Sequence, residues 1–319
     1  MISRRQVLQL FAVASVAQTG TTLAQETRKI PRVGFLAPSV LAEQRLALFR
    51  QGLRELGYVE GKNIHIDSRA GENARVLHDA AAELVRQKVD VIVTVVSAGA
   101  DAAKQATTEI PIVLAPIGDA VAQGFVPSLS KPGGNITGIS INAAEAAGKA
   151  LEIMREVMPR ARRVAALADS TESFSKLFVE QLQRTSKQLR LDFQPIMVKG
   201  ASDVKAALQV LAKMKPDMAI VQAPLGITTA ELVLKQGIAT AAPNSVFAPA
   251  CLVTYSADIP DMYRLAADYV DRILKGAKAA ELPVRQPSKF ELIVNVKAAQ
   301  RLGITVPQSV LLRATRVIE

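Results

Sequence analysis

The chain carries very little of the equipment of a catalytic or redox protein. Cys251 is the one cysteine among 319 residues, so no internal disulfide can form. It lies in an apolar run over residues 246–253 and reads as a buried, inert thiol. There are two histidines, His65 and His78. Neither belongs to a His-Glu-x-x-His pattern, and no cysteine pair is present to hold zinc. His65 alternates with Ile64 and Ile66 on a strand and is expected to face solvent. No Gly-x-Ser-x-Gly elbow occurs. Residues 57–62 fall one short of a phosphate loop, and Asn63 stands where that loop needs Ser or Thr. They also join helix to strand, whereas a phosphate loop joins strand to helix. The first strand leads into Ala37-Pro38-Ser39 with no Gly-x-Gly-x-x-Gly, which argues against a dinucleotide site. No metal and no cofactor is therefore expected. Blocks of five or six like charges are absent too. The net charge is +10, yet Lys and Arg are interleaved with Glu and Asp, so a nucleic-acid partner is not expected.

Long apolar runs are missing as well. The longest near the start, residues 7–17, spans 11 residues without a charge. That is too short to cross a bilayer, which takes about 20. Arg4 and Arg5 precede it, and Thr22-Leu23-Ala24 offers small residues at −3 and −1 before Gln25. This order reads as a cleavable export signal over residues 1–24. The competing reading, a buried N-terminal helix, fits poorly with the break at Gln18-Thr19-Gly20-Thr21. Residues 3–8 resemble a twin-arginine signal, with Val7 in place of Phe and Gln9 in place of Lys; Tat and Sec routes both stay open. No cysteine lies near the cleavage point to take a lipid. The expectation is an exported, periplasmic protein with no membrane anchor in its mature form. Removing the two signal arginines leaves a net charge of +8.

From residue 32 onward two periods alternate. Residues 32–36, 63–67, 89–96 and 110–115 read as strands, with amphipathic helices over 42–56 and 75–88. The apolar run of eight at 89–96 suits a parallel strand covered on both faces. The rhythm restarts after Ser130-Lys131-Pro132-Gly133-Gly134. Strands follow at 136–141, 163–168, 193–198 and 218–222, with helices at 144–158, 174–189 and 204–214. A final helix at 259–274 and a strand at 290–294 are too few to fold alone and should return to complete the earlier parts. The fold class expected is α/β: two doubly wound parallel-sheet lobes joined by a multi-strand hinge. The expected division is residues 25–142 plus 256–278 for the first lobe and 143–255 plus 279–319 for the second.

Ligands in open α/β sheets bind outside the carboxyl ends of the strands. Small polar residues gather there. Ser39 follows the first strand, Ser97 and Ala98 the third, Gly118 and Asp119 the fourth. Asn142, Asp169, Ser170 and Gln222 follow strands of the second half, and Tyr255 and Ser256 close the set. Each alone could be a helix cap. Together on one cleft they are expected to bind a small molecule without chemistry. Asp119, Asp169 and Tyr255 are the groups that could supply acid–base catalysis in the alternative reading of a periplasmic α/β enzyme.

These features come with a resemblance over essentially the whole mature chain. Residues 49–63 (Phe-Arg-Gln-Gly-Leu-Arg-Glu-Leu-Gly-Tyr-Val-Glu-Gly-Lys-Asn), 103–107 and 110–113, Gly118-Asp119, 130–138, 269–276 and 282–292 resemble the ABC-type transport substrate-binding proteins. The resemblance implies a type I periplasmic-binding fold whose lobes close on a small ligand and present it to a membrane permease. Characterised relatives are associated with aromatic amino acids. Asp169-Ser170-Thr171 and residues 222–226 depart from the family's usual second-lobe loops, whereas the neighbourhoods of Ser97 and Asp119 match. The function expected is therefore a monomeric receptor for an amino acid or related small carboxylate, serving an ABC permease. The alternative is a sensor of the same fold that feeds a signalling receptor.

Overall fold

The computed structural model describes residues 30–199 and 203–319. The expected export signal lies outside the described residues. Among the described residues no helix is long and apolar enough to cross a membrane.

The first sheet is five-stranded and wholly parallel: β1 (Arg32–Pro38), β2 (His65–Gly71), β3 (Val91–Thr94), β4 (Ile112–Ile117) and β5 (Ile136–Ser140), in the order β2-β1-β3-β4-β5. Crossovers run through α1 (Ser39–Glu55), α2 (Ala74–Arg86) and α3 (Val96–Ala106). Parallel strands need such crossovers, because a tight turn cannot join them. The order reverses between β1 and β3, so the crevice of this sheet opens beside their carboxyl ends. The strand expected over residues 89–96 is shorter, because Val96 turns into the left-handed region at φ 53° and starts α3 at once. A β-branched residue rarely adopts that conformation, so the bend stores strain at the mouth of the crevice. Ile136–Ser140 completes the first sheet as β5. Gly138 allows it: its φ is +127°, and a Cβ there would meet the backbone of Leu114 at 2.4 Å.

The second sheet has seven strands: β6 (Arg163–Asp169), β7 (Asp192–Val198), β8 (Met218–Val221), β9 (Ala239–Ala242), β10 (Val253–Ala257), β11 (Phe290–Asn295) and β12 (Arg316–Ile318). Their order is β12-β11-β10-β9-β8-β6-β7. The run β7-β6-β8-β9-β10 repeats the winding of the first sheet, and β11 then adds antiparallel to β10. Helices α4 (Ala143–Val157), α5 (Ser175–Gln188), α6 (Val204–Met214) and α7 (Ile227–Lys235) flank it. Cys251 is buried in its core, and burial pushes the thiol up from its ordinary range. His65 faces solvent, with Nε2 3.4 Å from Asp67.

The late helix α8 (Ile259–Leu274) returns to the first lobe. Asp258 caps it by accepting from the Asp261 N–H, and Pro260 sits in its first turn, where a missing N–H costs nothing. Its apolar face, with Met262, Tyr263, Ala266 and Val270, shares one core with Phe35, Phe49 and Leu53. Gly52 lets α1 and α8 approach closely: a Cβ there would lie 3.0 Å from the Ala267 Cβ and from the Arg264 Cα. The Tyr58 hydroxyl donates to Asp271 across the same contact at 3.0 Å. Residues beyond α8 then follow the edge of β5. The Thr137 hydroxyl donates to the Leu282 carbonyl, the Ser140 N–H donates to the Arg285 carbonyl, and the Arg285 N–H donates to the Gly138 carbonyl along that edge. The chain leaves this edge after Arg285 and enters the second sheet at Phe290.

Candidate functional site

The carboxyl ends of β1, β3 and β4 face those of β6, β8, β9 and β10 across a cavity of about 120 Å³. That is roughly ten times the space one water needs, so it suits a molecule of roughly ten non-hydrogen atoms. Ile117, Ile141, Phe174, Phe178 and Phe247 are among the residues of its apolar wall.

Of the residues singled out by sequence, Ser97, Gly118, Gln222 and Ser256 line this cavity. The others sit elsewhere. Ser39 is the exposed first residue of α1. Ala98 packs against the core on the α2 side. Asp119 accepts from the N–H groups of Val121 and Ala122 and holds its own turn. Asp169 accepts from the N–H and hydroxyl of Thr171, and the Ser170 hydroxyl donates to the Val198 carbonyl. Asn142 and Tyr255 line a separate surface groove, where Tyr255 stacks on Phe290 at 5.4 Å. Asp119, Asp169 and Tyr255 thus do not converge on one point.

Sequence reasoning missed Arg45, Tyr263 and Glu172, which also line the cavity. Arg45 is 4 % exposed, and its guanidinium lies 5.8 Å from the Tyr263 ring centroid. A signal existed: Arg45 falls on the apolar stripe of its helix, three residues after Ala42 and four before Phe49. A charge on a core-facing stripe needs a reason.

Polar atoms at the cavity lack partners. Among the described residues Arg45 Nη1, Tyr263 Oη, Gln222 Nε2 and Ser256 Oγ are buried without a hydrogen bond. Buried polar groups are rarely left so, because each costs about 1–3 kcal/mol. Four of them line this one cavity, which makes it the candidate site for a polar ligand. Glu172 adds a carboxyl pushed up to about 7, chiefly by burial and then by the neighbouring carboxylates of Asp169 and Asp101. Its ordinary value is 4.5, so between about pH 4.5 and 7 the folded form holds a proton that the unfolded chain has released. Stability then falls as pH rises through that window. Melting temperature should decline from pH 4.5 to 7, and Glu172→Gln should flatten the profile. A flat profile in the unaltered protein would remove Glu172 from the buried site.

The two lobes are clasped together over the cavity. The Gln123 side-chain amide donates to Ser97 Oγ at 2.7 Å and to Ser173 Oγ at 3.1 Å, and the Ser173 hydroxyl donates to Asp101 at 3.2 Å. Ser173 belongs to the loop after β6; the other three belong to the first lobe. Beside this clasp the Phe174 ring lies directly on Gly118, with Cδ2 2.5 Å from where a Cβ would be.

The profile of a family described as ABC transporter substrate binding protein matches residues 40–318. The chain belongs to that family. Among relatives, the tyrosine-binding protein of Clostridioides difficile is 27% identical over 266 residues, covering 80% of this chain and 75% of that one. A conserved domain protein from Vibrio cholerae superimposes with a TM-score of 0.84 at 25% identity, over 91% of this chain and 100% of that one. An ABC domain from Streptococcus pneumoniae in complex with L-Trp gives 0.83 at 26% identity, over 90% and 99%. The family and the fold are those implied by the sequence resemblance, a type I periplasmic-binding architecture of two lobes. The family is one of substrate-binding proteins.

Proposed function

We propose that the protein is the soluble receptor of an ABC importer, working as a monomer in the periplasm. It captures an amino acid or related small carboxylate when its lobes close and hands it to the permease. We assign residues 31–141 and 258–285 to the first lobe, residues 143–257 and 290–319 to the second, and the connections between them to the hinge. The observation that carries the proposal is the set of partnerless polar atoms lining an apolar cavity between two lobes that hydrogen bonds join. The L-Trp held by one relative and the tyrosine-binding name of another support an amino-acid-sized carboxylate. The basic, apolar and small-residue order of residues 1–24 supports export.

A thermal-shift and calorimetric screen tests it, using amino acids, aromatic acids and small aliphatic carboxylates after removal of co-purified ligand by unfolding and refolding. A ligand at a hundred times its Kd stabilises the fold by about 2.7 kcal/mol, or about 5 °C for a chain of this size. At least one carboxylate should produce such a shift. No shift with any of them would sink the receptor proposal.

A further inference from the structure

Both lobes bring polar groups to the cavity, amid a mostly apolar lining. One set belongs to the first lobe, where Arg45 on α1 and Tyr263 on α8 present Nη1 and a hydroxyl without partners. The other belongs to the second lobe. There Gln222 spends its Oε1 on the Asp169 N–H at 2.8 Å and the Ser175 hydroxyl at 2.9 Å, and only its Nε2 is left for the cavity. Glu172, whose N–H is bonded to the Asp169 carbonyl, stands at the same strand end. Arg45 and Glu172 line the cavity from different lobes, and the Asp169 and Asp101 carboxylates act on Glu172. The basic and the acidic group of the cavity thus sit on different lobes, with Phe174, Phe178 and Phe247 among the walls.

The chemistry of each set is restrictive. A guanidinium only donates, so the Arg45 set takes an acceptor, best an anionic carboxylate. The second-lobe set pairs a donor that cannot accept, Gln222 Nε2, with a carboxyl that needs a donor or, when protonated, an acceptor. A hydroxyl satisfies both at once. An ammonium has donors alone and leaves Gln222 unpaired, and a bare hydrocarbon leaves both unpaired. Building on the receptor proposal, we infer that the ligand is a hydroxylated carboxylate. Its carboxylate meets Arg45, its hydroxyl lies between Glu172 and Gln222, and an apolar, ring-sized body fills the space between carboxylate and hydroxyl.

The test uses pairs that differ by one hydroxyl: 4-hydroxybenzoate and benzoate, 3-(4-hydroxyphenyl)propionate and 3-phenylpropionate, L-tyrosine and L-phenylalanine. Calorimetry should show the hydroxylated member binding about 100-fold tighter or more in at least one pair, since sites built for a hydroxyl reject analogues lacking it strongly. Glu172→Leu should bring that ratio down to a few-fold and leave the deoxy member's affinity nearly unchanged. Glu172→Gln, which keeps an acceptor and a donor, should retain the preference. Arg45→Met should weaken both members by the same factor and leave the ratio intact. Equal binding of both members in every pair overturns the inference while the receptor proposal stands. An absence of binding by every acid and amino acid overturns both.

Discussion

Replacing Gly118 by alanine is expected to weaken ligand capture by about a hundredfold while both lobes stay folded. The added methyl would sit 2.5 Å from Phe174 Cδ2 and 2.7 Å from Cε2, closer than carbon atoms tolerate. Gly118 is not in the left-handed region, so alanine brings no backbone strain and acts through that contact alone. In the proposed closure cycle the contact belongs to the shut state, because Gly118 follows β4 and Phe174 precedes α5 of the other lobe. Phe174 is 7 % exposed and has little room to move. Overpacking of this kind costs about 1–3 kcal/mol, and here the cost falls on the closed state. The apparent affinity drops by the fraction of molecules still able to close. Small-angle scattering should show the unaltered protein contracting on ligand addition and the Gly118→Ala protein staying extended. Adding Phe174→Ala should restore contraction. Unaltered affinity in Gly118→Ala would show that closure does not bring these residues together.

Arg45→Met is expected to raise the melting temperature and weaken carboxylate binding together. Arg45 is buried and has the Tyr263 ring as its neighbour, with Nη1 unpaired. A buried charge without a partner carries a desolvation penalty that a well-packed apolar side chain avoids, commonly by about 1–4 kcal/mol. The same guanidinium is the cationic donor of the cavity. Losing one partner of a buried, hydrogen-bonded charge pair costs about 2–5 kcal/mol, a loss of about a thousandfold in affinity. The opposed signs identify a group kept for binding at the expense of stability. Chemical denaturation of the ligand-free protein and titration with a bound carboxylate measure the two effects separately. Lower stability with unchanged affinity would make Arg45 a structural residue instead.

Much of the architecture is legible in the sequence because the hydrophobic periods are strong. The stripes of α1, α4 and α8 and the β-rich strands β1, β6 and β7 announce themselves. What escapes has a local cause. Ala239–Ala242 forms β9 from Ala and Thr, without the bulky alternation that marks a strand, and α7 before it was missed with it. The apolar run at 89–96 hides the turn at Val96, because a left-handed valine leaves no compositional trace. The site divides in the same way. The rule of strand carboxyl ends finds Ser97, Gly118, Gln222 and Ser256. It cannot tell them from Asp119 and Asp169, whose side chains are spent on their own turns. Nor does it reach Arg45 and Tyr263, which enter the cavity from helix faces, or Glu172, three residues past its strand.

The return of α8 to the first lobe ties the maturation of one lobe to that of the other. Until residues 259–274 are in place, the apolar face that includes Phe35, Phe49 and Leu53 lacks its cover. Every strand from β6 to β10 lies between that face and the helix that seals it. The first 140 residues therefore cannot mature as an independent foldon, although they contain a whole parallel sheet. A chain halted before Asp258 would hold a sticky, half-built intermediate of the kind that chaperones recognise. The same interleaving gives the first lobe contacts of large sequence separation, and such contacts slow folding.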